Sequence, residues 1–207
     1  MNDYSAENRS GKHVAFLLLV WLLIAIVLGA SGRLAVLKPP APQLVVVALT
    51  ISSLAAVLVV PRLREWADNA SIRSLVTLHL CRFVGIYFLV LAHSGLLAPA
   101  FAIPAGWGDI FVATTAFALL LIANPRSSGG HRFYSAWNIV GLMDIVFVVA
   151  TAARIGLSAS ASMQQLLRMP LCLLPTFLVP VIIVSHILLF RRLQTIYSTR
   201  GSKTHNA

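Results

Sequence analysis

An arginine and two histidines interrupt an otherwise apolar run, LHLCRFVGIYFLVLAH (Leu78–His93). Ionisable side chains are expensive in such a setting, an arginine near mid-membrane costing about 2.5–3.5 kcal/mol on insertion scales. Arg82 therefore needs a partner or a route along its own stem to water, from a depth of about 12 Å at helical rise. Asp144, inside WNIVGLMDIVFVV, lies equally deep in its own apolar segment and is the natural counter-ion. His79 precedes Arg82 by three residues, which places both on one side of a helix. His186, near the end of PLCLLPTFLVPVIIVSH, falls at a similar depth if alternate helices run in opposite directions. Arg82, Asp144, His79 and His186 are thus expected to form one polar cluster within a helix bundle, with His93 at the opposite end of its helix.

The chemistry open to these groups is limited. A guanidinium binds an anion or holds a carboxylate whose protonation can change, and an imidazole with a reference pKa near 6.5 can relay protons. His79 and His186 are also a possible axial pair for a b-type haem. His79 and His93 would instead serve two haems about 21 Å apart along one helix, each needing a further ligand. No cofactor is otherwise expected.

A second informative stretch is APAFAIPAGWGD (Ala98–Asp109). Pro99, Pro104, Gly106 and Gly108 argue against regular helix, while Phe101, Ile103 and Trp107 keep the stretch apolar. The expectation is a loop folding back into the membrane surface, with Asp109 either capping the next helix or flooring an outward-facing site. Trp107, Gly106 and Gly108 would complete that outer site. Pro175 and Pro180 predict a kink in the last apolar run, whose freed carbonyls could bind ions. Gly85, Gly95 and Gly141 suit close helix contacts.

The elements that must hold these residues follow from composition. Of 207 residues, 58% are hydrophobic and 11% charged, against roughly 25% charged in a soluble domain. Six runs approach the roughly 20 residues needed to span a bilayer: Val14–Ala30, Leu44–Val60, Leu75–Leu97, Asp109–Ala123, Ala136–Ala153 and Leu171–Phe190. They lack the alternation of barrel strands, and backbone groups in lipid must pair within the segment. The reading is an all-α, polytopic six-helix bundle over residues 14–190, flanked by mobile polar tails at 1–13 and 191–207. Arg9, Lys12 and His13 ahead of the first run would suit a secretory signal, but five runs follow and a retained helix is expected.

Alternate connections differ in charge. One set holds Arg9, Lys12, Arg62, Arg64, Arg73, Arg126, Arg132, Arg191, Arg192, Arg200 and Lys203, the other only Arg33, Lys38, Arg154 and Arg168. By the positive-inside rule both termini are cytoplasmic. The net charge of +10 is then a topology signal, since nucleic-acid binding needs a basic face on a folded module. PRLREWADNASIR reads as a cytoplasmic loop with Trp66 at headgroup level, LKPPAPQ as a stiff outer connection, and GLSASASMQQLLRM as a short outer surface segment. Cys81 and Cys172 should lie too far apart in depth for a disulfide.

Four stretches together resemble a family of uncharacterised bacterial multi-pass membrane proteins: CRFVGIYFL (Cys81–Leu89), GLLAPAFAIPAGWGDI (Gly95–Ile110), WNIVGLMDI (Trp137–Ile145) and LLPTFLVPVIIVSHILLF (Leu173–Phe190). The resemblance implies a six-helix fold in the bacterial cytoplasmic (inner) membrane and directs interest to Arg82, Asp109, Asp144 and His186. His79 lies outside the shared pattern. It implies no activity. No catalytic motif is present: HExxH and GxSxG are absent, His13, His131 and His205 fall outside the runs, and RSSGGH (Arg126–His131) lacks the further elements of a phosphatase. The expected function is translocation of a small solute, ion or proton. The alternatives are a haem electron carrier and a non-catalytic subunit or assembly factor. The expected partners are the lipid bilayer and a second copy or a membrane complex.

Overall fold

The computed structural model describes residues 3–204; residues 1–2 and 205–207, including His205, lie outside the described residues. The described chain is all-α, with eight α-helices and no strand: α1 (Asp3–Ala30), α2 (Ala41–Val59), α3 (Pro61–Asn69), α4 (Ile72–Thr77), α5 (Gly85–His93), α6 (Pro99–Ile122), α7 (Ser128–Ser158) and α8 (Val179–Thr204). Six helical segments among the described residues are long and apolar enough to cross a membrane: Gly11–Ala30, Ala41–Val59, Ile72–His93, Pro99–Ile122, Ser128–Ser158 and Leu174–Thr195. The helices α1 and α8 run on through the polar stretches before Val14 and after Phe190.

The starts of these helices follow local chemistry. Ser71 accepts a hydrogen bond from the Ser74 amide at the start of α4, and Ser127 one from Gly130 at the start of α7. Pro61 and Pro99 occupy first-turn positions, where a missing N–H has no helical partner to lose.

Two expectations need correction. The loop expected over Ala98–Asp109 is the first half of α6, with Pro104 inside the helix. Proline and glycine weaken helices chiefly when water competes for the backbone, and in an apolar setting an unbonded amide costs more than a poor propensity. The connection PRLREWADNASIR is mostly helix α3 rather than loop, and its Trp66 is partly buried against the apolar core.

The third span is not one α-helix. Between α4 and α5 the residues Leu78–Val84 tighten into a 3₁₀ helix, in which side chains three apart eclipse. The last span opens with a π-helical turn at Leu174–Leu178, which carries Pro175. Wide turns of this kind re-accommodate a proline within a helix.

Helices α5 and α6 pack along each other, α7 lies against α6 and α8, and α2 packs on α8. Gly85 and Gly106 set the α5–α6 approach: a Cβ on Gly106 would stand 2.8 Å from the Gly85 carbonyl oxygen and from Leu89 Cδ2. The apolar core falls into two clusters. One, around Leu75, Val76, Tyr134 and Leu189, sits at the arginine-rich end. The other, around Phe88, Phe101, Ile145 and Leu171, sits towards the other end. At the arginine-rich end Arg191 Nη2 pairs with Asp68 Oδ1 at 2.7 Å, and Arg192 donates to the carbonyls of Ala70 and Asp68, closing the C-terminus of α3 onto α8. At the other end the connections bearing Lys38 and Arg168 meet, where Gln164 Nε2 donates to the Ala35 carbonyl at 3.3 Å. The segment GLSASASMQQLLRM covers that end, with residues Ser160–Leu167 as a 3₁₀ helix and Met163 buried.

Candidate functional site

Between the two apolar clusters lies a layer of buried polar side chains: His79, Arg82, Asp109, Asn138, Ser185 and His186. The 3₁₀ stretch brings His79 and Arg82 onto one face. Arg82 is 1% exposed, and each of its three nitrogens donates to a separate acceptor. Nε reaches Asp109 Oδ1 on α6 at 2.6 Å, Nη1 reaches the Gly141 carbonyl on α7 at 3.1 Å, and Nη2 reaches Asp144 Oδ2 on α7. One guanidinium thus ties three spans together through two carboxylates. With both carboxylates ionised, the triad carries one unit of negative charge in excess.

The glycines around the triad provide clearance. A Cβ at Gly108 would overlap the Asp144 carboxylate, and one at Gly141 would stand 2.7 Å from His186 Cε1. Gly106 and Gly108 thus act as packing glycines within α6, and the outer-loop site expected from them is corrected accordingly. Trp107, 62% exposed, lies on the outside of the same helix. Asp109 is not a helix cap; it sits ten residues into α6 and faces Arg82.

The histidines form a second set. The His79 and His186 ring centroids are 4.2 Å apart, with Trp137 edge-on to His79 at 4.9 Å. Ser185 Oγ donates to the Ile182 carbonyl at 2.7 Å, so the 3.0 Å contact between Ser185 Oγ and His79 Nε2 has the imidazole as donor. His79 Nδ1 is left buried without a partner. Asn138 Nδ2 donates to the His186 carbonyl at 3.0 Å, which leaves Asn138 Oδ1 to accept from His186 Nδ1 at 2.7 Å. His186 Nε2 lies beside Gly141 with no hydrogen bond closed. Gly141 therefore stands between the two sets, its carbonyl accepting from Arg82 and its α-carbon against His186. The two imidazoles are in contact, whereas axial ligands of one haem lie on opposite sides of the iron; the arrangement does not fit that group. His93 is exposed at the end of α5, away from both rings. Among the described residues no three or more His, Cys, Asp or Glu side chains are grouped to hold a metal ion, and Cys81 and Cys172 are free thiols.

A cavity of about 620 Å3 leads to this layer. Lys38, Gln43 and Gln164 stand among the residues of its rim, at the arginine-poor end, and Arg82 and Asp109 are the charged groups at its base. Its walls are otherwise almost wholly apolar, including Phe88, Phe101 and Ile145. Gln43 Oε1 is a further buried acceptor without a partner.

A family described as a domain of unknown function (DUF8737) matches residues 39–194. The chain belongs to that family. The DUF8737 segment contains every member of the triad and of the histidine set, the whole base of the cavity, four of the six candidate spans whole and a fifth up to its last residue, Thr195. Helix α1 precedes it and docks through Trp21, whose Nε1 donates to the Thr176 carbonyl at 2.9 Å and whose ring meets Phe177 edge-on at 5.1 Å. No curated protein and no solved structure matches the chain.

Sequence reasoning singled out Arg82, Asp144, His79 and His186 as one cluster, and the structure brings all four into the same layer. It placed Asp109 at the start of the fourth apolar run, as a helix cap or the floor of an outer site, and it passed over Asn138 and Ser185. The signal for those two was present: an amide and a hydroxyl in apolar runs, at positions where an unbonded polar group is costly.

Proposed function

We propose that this protein is a multi-pass protein of the bacterial cytoplasmic membrane, with both termini cytoplasmic, that translocates a small solute or ion. The observation that carries the reading is the cavity that ends on Arg82 and Asp109, because it joins an accessible space to a charged layer that a purely structural bundle does not need. Replacing buried ion pairs by apolar residues is commonly neutral or stabilising, so packing alone gives little reason to keep one. The triad holds charge against the solute, and the histidine set behind it separates the cavity from the arginine-rich end. Asp144 is the group whose protonation state changes during the cycle, since it is the least buried member of the triad, with a side chain 15% exposed.

The orientation rests on charge. The arginines clustered at one end of the bundle, with Asp68 and Arg191 paired there, suit the cytoplasmic face, so the cavity opens outward. The test is flux in proteoliposomes holding a pH-sensitive dye, driven by a potassium-diffusion potential. Wild-type protein is expected to move protons or an accompanying ion, and Asp144→Asn to abolish that movement while the purified protein keeps its helical content. Unchanged flux in that variant rejects the role of Asp144.

A further inference from the structure

The cavity's lining points to the kind of molecule it takes. We propose that it binds a monovalent organic cation with a large apolar body, the positive head lying against Asp109. This rests on the translocation reading above and names its substrate class.

Charge gives the sign. The triad sets two carboxylates against one guanidinium, and that guanidinium has Nε, Nη1 and Nη2 already committed to Asp109, Gly141 and Asp144. An anion arriving at the base would meet an Arg82 whose three nitrogens each already serve an acceptor, with one N–H left on each of Nη1 and Nη2, and, with both carboxylates ionised, a layer in negative excess. A cation would meet the uncompensated half of a carboxylate pair. Among the described residues, the only charged lining residue apart from Arg82 and Asp109 is Lys38, which is exposed at the rim, where its ammonium can stay in water.

The walls give the body. Phe88 and Phe101 are buried, line the cavity and stand 5.5 Å apart at 58° to one another, which puts two aromatic rings in its wall. Aromatic faces attract cations, most strongly where the cation is poorly hydrated, as in quaternary ammonium groups. A hydrated metal ion would find almost no oxygen ligands on these walls, whereas an apolar body would bury its surface against them. The volume of about 620 Å3 is that of a drug-sized organic ligand rather than an inorganic ion.

The proposal is tested with two probes of one shape and opposite charge, tetraphenylphosphonium and tetraphenylborate, in equilibrium dialysis against the purified full-length protein in a neutral detergent. Empty micelles give the background. The cation is expected to bind at least about tenfold more tightly than the anion, and Asp109→Asn to remove that difference. Ala153→Trp, which fills the cavity from its wall, is expected to abolish binding of the cation, and this variant alters no member of the triad. Equal or tighter binding of tetraphenylborate overturns the proposal, as does cation binding that survives Ala153→Trp. The assay needs no flux, so the two readings fail separately. Charge-selective binding with no flux in liposomes rejects translocation and supports the site; flux accompanied by anion-preferring binding rejects the ligand class alone.

Discussion

Replacing Arg82 by Gln would leave the Asp109 and Asp144 carboxylates facing one another in a buried layer with no cation between them. Breaking one side of a buried ion pair costs about 3–5 kcal/mol, and the variant is expected to lose about that much in denaturant unfolding followed by circular dichroism. Combining it with Asp109→Asn and Asp144→Asn removes the stranded charges and should recover most of the loss. A single variant as stable as the parent would show that the guanidinium is not holding the carboxylates. Gly141 is the second sensitive position, because its α-carbon lies against His186 while its carbonyl accepts from Arg82. Gly141→Ala places a methyl 2.7 Å from His186 Cε1, and overpacking of this kind costs about 1–3 kcal/mol. Gly129, with nothing within 4 Å of its Cβ position and a place in the first turn of α7, is the control: alanine there should leave the thermal midpoint unchanged or raise it. At this scale the sequence was most readable where a residue is expensive. Arg82, Asp144, His79 and His186 stand out because apolar runs tolerate such groups only for a reason, whereas Asn138 and Ser185 are cheaper and drew no notice.

Helix α6 shows where local rules fail. Pro104, Gly106 and Gly108 lower helix propensity, and in water their sum would break an element. Here the alternative to helix is unbonded backbone in apolar surroundings, which costs more, so the helix runs unbroken from Pro99 to Ile122. The glycines then become contact points: Gly106 against Gly85 and Leu89, Gly108 against Asp144. Substituting Gly106 by Ala is expected to force α5 and α6 apart. Because Arg82 lies in the 3₁₀ stretch that leads into α5, three residues before Gly85, and Asp109 belongs to α6, the change should weaken their 2.6 Å contact. The measurement is flux together with unfolding, with both expected to fall; a stable variant with full flux would show that the α5–α6 approach does not set the triad. The 3₁₀ stretch Leu78–Val84 is a second case. Nothing in the residues distinguishes it from α-helix, and from it Arg82 reaches acceptors on both α6 and α7.

For the whole molecule the expected arrangement is one arginine-rich face and one arginine-poor face on opposite sides of the membrane. Single cysteines at Lys38 and Arg64, both exposed, provide the test in intact cells with a membrane-impermeant maleimide. Lys38→Cys should label and Arg64→Cys should label only after lysis; the reverse pattern would invert the orientation and turn the cavity to the cytoplasm. The six apolar segments and the charge asymmetry of their connections were determined by the sequence alone, because span length and hydropathy are local sums over neighbouring residues. Which spans face each other is not a local quantity. That Asp109 joins Arg82 and Asp144, that two imidazoles touch behind them, and that a cavity ends on this layer all depend on residues far apart in the chain brought to one depth by helix packing. Only the tertiary structure decided them, since their energies exist between helices and are absent from any one of them.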